Sequence, residues 1–429
     1  MTTTIRQTLA MIREEKLYSA MYIAGTALAI AFVMLIAEVY YVKMADIAPE
    51  VNRSKTYYLA GLAIGEYGAK TAKHEDLQLF QTMKAPEYMT AVAYPWDNRK
   101  VCIKMPDGIR EMEATPRMPD ANFFRLYQFH FIEGAPFSQD DFDNRRRVVV
   151  ITQDIAEKIF GKDTKAVGKM IHFCHADYRI CGVVETPSAL LEVCSADIWV
   201  PYSAEGLPEE MGFSSLEGAP IQVYFNVPSQ KREAFMKEIK EVEARYNSMH
   251  QDDTVDMTTF LVSHYESVWK NLGNVFAVEP DNLWWFLLPA ILLLLLVPAL
   301  NLSGMVASRM DRRLPEMAIR KAFGAKRPTL LGQVITENLI LTLIGGAFGL
   351  CLAWTALYAW RDWVFSVFAG YGYFNGYSGV PIIQGEMLFA PAIFLISLVV
   401  CGLLNVLAAT LPAWLSLRKP IVESMGLKK

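Results

Sequence analysis

Four stretches of the chain contain no charged residue and are dominated by apolar side chains. They cover residues 17–37, 283–308, 338–360 and 387–417. A helix needs about 20 apolar residues to cross a bilayer, so each stretch is long enough to do so. We therefore predict four transmembrane helices, at residues 17–43, 282–308, 329–360 and 387–417.

The start of the chain is open to more than one interpretation. Ile5, Leu9 and Ile12 recur at helical spacing among basic residues, which predicts an amphipathic helix over residues 1–16 on the inner membrane surface, or else a frayed terminus. A basic start before an apolar run is also typical of a cleaved signal peptide. We expect no cleavage, because the run is too long and no Ala-x-Ala site follows it.

Between the first two apolar stretches the pattern changes to short strands and short helices. Residues 147–152 form a continuous apolar run typical of a buried strand, and residues 153–160 a helix that stops before Gly161. Further strands are predicted at 169–173, 178–184, 197–201 and 221–227, and an amphipathic helix at 230–246. Residues 44–281 are thus predicted to form a large mixed α+β domain.

Local charge sets the orientation of these segments. Residues 308–328 hold seven basic and two acidic side chains, and the tail 418–429 holds four and one, so both are strongly positive. Positive loops stay in the cytoplasm. The prediction is an α-helical membrane protein with both termini cytoplasmic, an extracytoplasmic domain at 44–281 and an aromatic extracytoplasmic loop at 361–386.

The basic loop, residues 309–328, has a helical pattern of its own. Glu316 and Arg320 are four apart in the order that favours an ion pair, Gly324 is a natural helix stop, and Pro328 suits the start of the next helix. One face is apolar, through Leu314, Met317, Ala318, Ala322 and Phe323. Two interpretations remain open: a short helix parallel to the membrane that docks a partner, or a loop that only sets topology.

Composition changes this picture little. The chain is 53% hydrophobic and 20% charged, with a net charge of −4, and it has no long acidic or basic tail, so we predict no nucleic-acid binding. Cys174 and Cys181 flank a predicted hairpin turn and form a candidate disulfide. With His172 and His175 they also resemble a metal-ligand set, but the spacing matches no standard zinc site, so we predict none.

The familiar catalytic and energy-converting motifs are missing from the sequence. Gly161-Lys162 and Gly168-Lys169 lack the upstream glycine and the following Ser or Thr of a phosphate-binding loop. The chain has no Gly-x-Ser-x-Gly and no His-Glu-x-x-His, and its apolar stretches hold no charged group for a proton relay. A membrane-anchored enzyme is therefore disfavoured, and we predict no catalytic residue, no cofactor bound by this chain, and an external energy source.

Residues 316–325 (EMAIRKAFGA) and 331–349 (LGQVITENLILTLIGGAFG) resemble the pattern of the MacB/FtsX-type (type VII) permeases of ABC transporters. The matching positions are Glu316, Arg320, Lys321, Ala322, Gly324, Ala325, Glu337, Gly345 and Gly346, with Pro412, Ala413 and Pro420 near the end. Segments such as 122–124, 147–151, 156–161 and 180–184 are similar to the family's periplasmic core domain. Leu314-Pro315 departs from the more polar residues usual before the glutamate.

The resemblance implies site residues and a division of the domain. It implies an ATPase-coupling helix at Glu316, Arg320, Lys321, Ala322, Phe323, Gly324 and Ala325. It also implies a small subdomain, residues 120–200, inserted into a larger one made of 44–119 and 201–281. Independently of the resemblance, the small residues Gly345, Gly346 and Gly349 predict a close-packing face on the third span.

The resemblance implies partners as well. Because the sequence starts at the membrane without a nucleotide-binding domain, a separate cytoplasmic ATPase that holds ATP and Mg²⁺ is expected. A second permease copy or paralogue, membrane lipid, a periplasmic adaptor and an outer-membrane channel are further expected partners, and the bacterial inner membrane is the expected location. The implied function is export of an unspecified substrate by mechanotransmission; the alternative is FtsX-like activation of cell-wall hydrolases.

Overall fold

The computed structural model describes residues 14–64, 68–93, 100–105, 109–162, 164–188, 190–191, 193–205, 207, 216, 219–251, 254–276, 279, 282–360, 363 and 391–418. The chain divides into two compact units. One is mixed α/β and comprises Tyr41–Val275; the other is helical and comprises the segments before and after it. Most of residues 1–16, the aromatic loop and the tail lie outside the described residues.

Helix α1, Lys16–Met44, leads directly into the mixed unit. The longer helices of that unit are α5 (Gln153–Phe160), α6 (Arg232–Met249) and α7 (His264–Phe276). Short helical turns form α2 (Leu77–Phe80), α3 (Phe123–Leu126) and α4 (Gln139–Asp143). Helix α5 begins where the Thr152 hydroxyl accepts a hydrogen bond from the Ile155 N–H, and it ends at Gly161 with φ +86°.

The described strands of the mixed unit number sixteen and are short. They are β1 (Thr56–Leu59), β2 (Leu62–Ile64), β3 (Gly68–Lys70), β4 (Ala72–Lys73), β5 (Tyr88–Ala93), β6 (Val101–Lys104), β7 (Glu111–Ala114), β8 (Pro116–Pro119), β9 (Phe131–Gly134), β10 (Val148–Thr152), β11 (Met170–Phe173), β12 (Ala176–Val184), β13 (Ile198–Trp199), β14 (Pro220–Asn226), β15 (Val255–Asp256) and β16 (Leu261–Ser263). Strand β10 is buried along its whole length, as its continuous apolar run predicts.

Thirteen of these strands form one sheet in the order β16-β1-β14-β5-β8-β13-β10-β12-β11-β6-β7, with β4 beside β14 and β9 beside β12. Strand β8 joins its two halves. Met118 and Pro119 pair with β5, whereas Pro116 and Arg117 pair with β13. The remaining three strands form a small sheet, β15-β2-β3.

The strand pairing changes the predicted boundary of the inserted subdomain. We expected residues 44–119 to belong wholly to the larger part. Strands β6 and β7 instead extend the half of the sheet that contains β10 to β12, because β6 pairs with β11 through Ile103 and Lys104. The second half of the sheet therefore recruits chain from about Val101, which a linear division at residue 120 could not anticipate.

The candidate disulfide between Cys174 and Cys181 is wrong: both cysteines are free. The predicted hairpin is present, but its turn consists of Cys174 and His175 alone, both with positive φ, and Phe173 pairs with Ala176. Strand β11 begins at Met170, opposite Arg179, so Cys181 lies beyond the paired residues. The Cys181 thiol donates instead to the carbonyl of Val149, at 3.3 Å.

The helical unit contains α1 up to Tyr40, α8 (Leu283–Ala322), α9 (Arg327–Ala359) and α10 (Pro391–Arg418). Within the described residues, α1, α9 and α10 are long and apolar enough to cross a membrane. Helix α8 contains the predicted second apolar stretch, although the side chains of residues 291–302 are not described.

Helix α8 also differs from the prediction at its carboxyl end. A separate short helix was expected within residues 309–328, but α8 continues without a break through Pro315 to Ala322. The segment that the sequence assigns to coupling is therefore the last part of a 40-residue helix.

The three glycines predicted to pack helices lie on α9 where other helices come close. A methyl group added at Gly349 would lie 2.8 Å from the backbone oxygen of Ala27, and one at Gly345 would lie 2.9 Å from Cβ of Thr26. At Gly346 the nearest atom would be Cδ1 of Leu398 on α10. Small residues at these positions allow α9 to approach α1 and α10 closely.

Candidate coupling site

A tight turn, residues 323–326, joins α8 to α9; we call it the coupling turn. The N–H of Ala325 donates to the carbonyl of Arg320, and the N–H of Gly324 donates to the carbonyl of Lys321. This pair of bonds is a Schellman motif, and it needs a left-handed residue, which Gly324 supplies with φ +92°. Helix α9 then begins at Arg327, with Pro328 in its first turn.

The coupling turn exposes an aromatic side chain. Phe323 is 89% exposed and Ile319, one turn earlier on α8, is 51% exposed. Met317 and Ala318 are almost fully buried in the helical unit. The predicted apolar face of this segment is thus divided: part of it holds α8 in place, while Phe323 and Ile319 point away from the unit. An exposed aromatic next to an aliphatic side chain is a common anchor for a protein partner.

A buried carboxylate lies behind the coupling turn. Glu337 on α9 is 2% exposed, and its Oε2 lies 2.9 Å from both Arg309 Nη2 and Arg313 Nη1 of α8. Its Oε1 accepts a hydrogen bond of 3.0 Å from Gln333. We call Glu337, Arg309, Arg313 and Gln333 the glutamate clamp. Its groups satisfy one another, which a buried charge requires.

The clamp continues to the coupling turn through Arg320. This guanidinium donates to Gln333 Oε1 at 2.8 Å and to Glu316 Oε1 at 2.6 Å. Glu316 also lies 3.4 Å from Arg313. The ion pair predicted from the spacing of Glu316 and Arg320 is therefore one edge of a larger network that joins α8 to α9.

The same network reaches the other two helices. Lys321 donates to the backbone carbonyl of Leu417, at 2.6 Å, near the carboxyl end of α10. Arg309 forms an ion pair of 3.0 Å with Glu15, which directly precedes α1. Among the described residues, all four long helices are thus connected to the segment just before the coupling turn.

The sequence did not reveal the clamp. Glu337 matched the family pattern. The sequence indicated Arg309 and Arg313 only as basic charge in a loop, and it indicated no role for Gln333. A usable pattern exists: Arg309 and Arg313 are four apart on one face of α8, and Gln333 and Glu337 are four apart on one face of α9. Two such pairs on consecutive helices favour a contact between the helices.

A second buried ion pair, which the sequence analysis also missed, holds the carboxyl end of α1. Arg53 donates to the carbonyls of Val42 and Ala45, at 2.6 and 3.0 Å, and forms an ion pair of 2.6 Å with Glu50. Glu50 Oε1 accepts from the backbone N–H groups of Val193 and Cys194. We call Glu50 and Arg53 the α1 anchor, since they tie the end of α1 to the mixed unit.

The α1 anchor is electrostatically balanced. Complete burial alone would raise the pKa of Glu50, but the Arg53 guanidinium, His264 and the N–H of Cys194 together hold the pKa below its ordinary value. His264 also donates from Nε2 to the carbonyl of Lys43, at 2.8 Å. Two cationic or polar side chains thus cap the last turn of α1, where carbonyl groups would otherwise lack partners.

Fold and site together define a class of protein: a membrane protein whose long helices connect a large mixed α/β domain to an exposed turn. Family models agree along the chain. The MacB-like periplasmic core domain matches residues 19–242, and the FtsX-like permease C-terminal domain matches residues 289–421. The chain belongs to this family of FtsX-like permeases with a MacB-like periplasmic core domain.

Individual relatives are distant in sequence. The macrolide export ATP-binding/permease protein MacB of Chromobacterium violaceum is 26% identical over 68% of this chain and 40% of its own length. The protein of the same name from Escherichia coli K12 is 22% identical over 79% and 50%. The uncharacterized ABC transporter permease YknZ of Bacillus subtilis is 23% identical over 58% and 62%. The chain spans about half the length of the curated relatives it matches.

Solved structures with some likeness are isolated domains. The periplasmic region of MacB from Actinobacillus actinomycetemcomitans is 15% identical, with a TM-score of 0.36 over 49% of this chain and 88% of that domain. The extracellular domain of YknZ from Gram-positive bacteria is 17% identical, with a TM-score of 0.36 over 47% of this chain and 99% of that domain.

Proposed function

We propose that this chain is the transmembrane permease subunit of an ABC transporter in a bacterial inner membrane, and that a cytoplasmic ATPase subunit docks on the coupling turn. Helix α8 then acts as the second of four spans, both termini are cytoplasmic and the mixed unit is periplasmic. The single observation that carries the proposal is Phe323, an exposed aromatic side chain on a turn whose preceding residues form hydrogen bonds with α9 and α10.

The geometry suggests how movement passes through the subunit. ATP binding and hydrolysis by the partner displace the coupling turn, and Arg320, Lys321 and the glutamate clamp distribute that displacement over α8, α9 and α10. Arg309 passes it to the start of α1 through Glu15. The α1 anchor at Glu50 and Arg53 holds the last turn of α1, and in this proposal it passes the displacement to the mixed unit. This mechanotransmission drives extrusion of a substrate outside the membrane.

Two copies of the permease, or this chain and a paralogue, assemble with two ATPase subunits in this proposal. A periplasmic adaptor and an outer-membrane channel would receive the substrate. FtsX-like activation of a cell-wall hydrolase would use the same movement. Mass spectrometry of proteins that co-purify in mild detergent separates the two functions: an adaptor or channel supports export, and recovery of a murein hydrolase in its place contradicts export.

The docking proposal predicts the effect of Phe323→Ala. Removing an aromatic anchor typically costs about 2 kcal/mol of binding, so the affinity for the partner ATPase should fall about thirtyfold. Binding is measured with the purified ATPase and the permease in proteoliposomes, together with the rate of ATP hydrolysis.

Tyr358→Ala is the matched control. Tyr358 is a highly exposed aromatic residue, as Phe323 is, but it lies at the end of α9 that is far from the coupling turn. Tyr358→Ala should leave the affinity for the ATPase unchanged. Equal affinities for wild type and Phe323→Ala would contradict docking at the coupling turn.

A further inference from the structure

A cavity of about 590 Å³ opens between the start of α1 and the carboxyl half of α8. Its walls come from residues 14–18 and Met21 on one side. On the other side they come from Gly304, Met305, Ser308, Arg309 and Arg312. Gly304 leaves room for it, because no atom lies within 4 Å of where a methyl group on Gly304 would sit. We call this space the interfacial cavity.

The lining of the interfacial cavity is divided by polarity. Leu17, Met21 and Met305 form an apolar part, and Leu17 is 77% and Met21 53% exposed. Lys16, Ser308 and Arg312 form a polar part. A space with an apolar and a cationic part matches a molecule that has an acyl chain beside an anionic headgroup.

Charge in the cavity favours an anion. Glu15 and Arg309 both line it, but they form an ion pair with each other, and Arg309 also contacts Glu337. Within the part of the chain that the structure describes, Lys16 and Arg312 make no ion pair, so two cations face one remaining carboxylate, Glu14. Free cations in such a space are stabilised by a bound anionic group.

The position of the cavity identifies the source of that anion. Helix α1 is a candidate membrane span that begins at Lys16, so the polar part of the cavity lies where the span begins and the apolar part lies within it. Anionic lipids concentrate at the cytoplasmic membrane surface, and each nearby Lys or Arg adds attraction to them. A soluble phosphate would leave Leu17, Met21 and Met305 uncovered.

We propose that the interfacial cavity binds one anionic phospholipid, with its phosphate between Lys16 and Arg312 and an acyl chain along Leu17, Met21 and Met305. This rests on the membrane orientation in the proposed function but on none of its ATPase partners. The lipid would lie against Arg309, a member of the glutamate clamp, and so next to the network that joins the helices.

The test is native mass spectrometry of the full-length protein in detergent, titrated with phosphatidylglycerol or with phosphatidylcholine. Wild type should retain phosphatidylglycerol in preference to phosphatidylcholine. Each lost cation should weaken binding about fivefold, so the Lys16→Ala/Arg312→Ala double variant should bind phosphatidylglycerol about 25-fold more weakly. Gly304→Leu, which fills the cavity from within α8, should reduce the binding of both lipids.

Lys326→Ala/Arg327→Ala is the matched control. It also removes two exposed cations from the loop side of the helices, but these lie outside the cavity. Its affinity for phosphatidylglycerol should equal that of wild type. Equal losses in both double variants would show nonspecific attraction to basic surface and overturn the site.

Three further results would also overturn the proposal. The first is unchanged phosphatidylglycerol binding in Lys16→Ala/Arg312→Ala, and the second is displacement of the lipid by millimolar inorganic phosphate. The third is a Gly304→Leu variant that no longer forms dimers but still binds lipid, because this would assign the cavity to contact with a second copy of the chain. Gel-filtration profiles and melting temperatures verify that each variant is folded. The lipid-binding experiment contains no ATPase, so a negative result in it is independent of whether an ATPase docks at Phe323.

Discussion

A half-buried carboxylate, Asp120, lies where the two halves of the large sheet meet. Asp120 directly follows β8, and its oxygens accept hydrogen bonds from the Thr90 hydroxyl and from the N–H groups of Ala91 and Asn122. Desolvation of the carboxylate nevertheless outweighs these bonds and raises the pKa of Asp120 to about 6. The connection between the halves therefore contains a titrating group.

The sign of its effect on stability follows from that raised pKa. The folded protein holds the Asp120 proton more tightly than the unfolded chain does, so the contribution to stability is complete below about pH 4, declines between about pH 4 and 6, and is lost above. The total change is at most about 3 kcal/mol. Asp120→Asn should remove this decline. The difference between the melting temperature of the variant and that of wild type should therefore increase between pH 4 and 7.

Thermal unfolding of the full-length protein at several pH values measures this difference. Asp143→Asn is a suitable control, because Asp143 is an exposed carboxylate of α4 in the same unit. A difference between wild type and Asp120→Asn that does not change with pH would contradict the assignment.

At the scale of elements, close packing of α9 determines the arrangement of the helical unit. Gly345 and Gly349 are four apart and meet α1 at Thr26, Ala27 and Ile30. Tyr22 on α1 and Asn405 on α10 both form hydrogen bonds with Thr342 of α9, at 3.3 and 3.1 Å. Small residues and a few polar contacts thus set the helix positions, as is usual where lipid provides no hydrophobic driving force between helices.

Gly349→Ala tests this packing. The added methyl group meets a backbone oxygen of α1, which cannot rotate away, so α1 and α9 must separate. Overpacking of this kind typically costs about 1–3 kcal/mol. Gly25→Ala is the matched control, since a methyl group at Gly25 of α1 meets no atom within 4 Å. The melting temperature in detergent should fall for Gly349→Ala alone, and equal values for both variants would contradict close contact at Gly349.

At the scale of the whole molecule, the α1 anchor connects a span to the domain that the span supports. Glu50 and Arg53 combine an ion pair, two helix-capping bonds and two backbone bonds to residues about 140 positions away. A helix end that is held by several bonds to a domain moves together with it. The anchor therefore holds the last turn of α1 to residues that lie much later in the mixed unit.

Arg53→Met should lower the free energy of unfolding by about 3–5 kcal/mol, because Glu50 is left as an uncompensated buried charge. The double variant Glu50→Gln/Arg53→Met removes that charge and should recover much of the stability without restoring the caps on α1. Its ATP-driven activity in proteoliposomes should stay low. Arg147→Met, which alters an exposed ion pair with Glu205, is the control and should change both quantities little.

Full activity in the stable double variant would contradict a transmitting role for the anchor. If activity falls only in proportion to stability across Arg53→Met, Glu50→Gln/Arg53→Met and Arg147→Met, the anchor serves folding alone.

Local patterns in the sequence were sufficient for several of the elements, although not for the extent of α8 or the division of the mixed unit. The lengths of the apolar runs predict α1, α9 and α10 as membrane spans, and the run of valines at 148–150 predicts the buried strand β10. Gly324 predicts a helix end at the point where α8 stops, although the sequence assigned that end to a separate short helix, and the spacing of Glu316 and Arg320 predicts their ion pair. Each of these depends on neighbours within about one or two turns of helix or one strand, and such information is present in the order of residues.

Tertiary structure alone decided the contacts between distant segments. It joins β6 to β11 and sets the hairpin register that keeps Cys174 away from Cys181. It also places Glu337 between Arg309 and Arg313, and it brings Glu50 to the backbone N–H of Cys194. The physical reason is that a charge or a strand finds its partner only after other elements have brought the two together. The basic segment before Gly324 was visible as a loop with helical spacing; only the packed helices make it the end of a continuous helix that is tied to all the others.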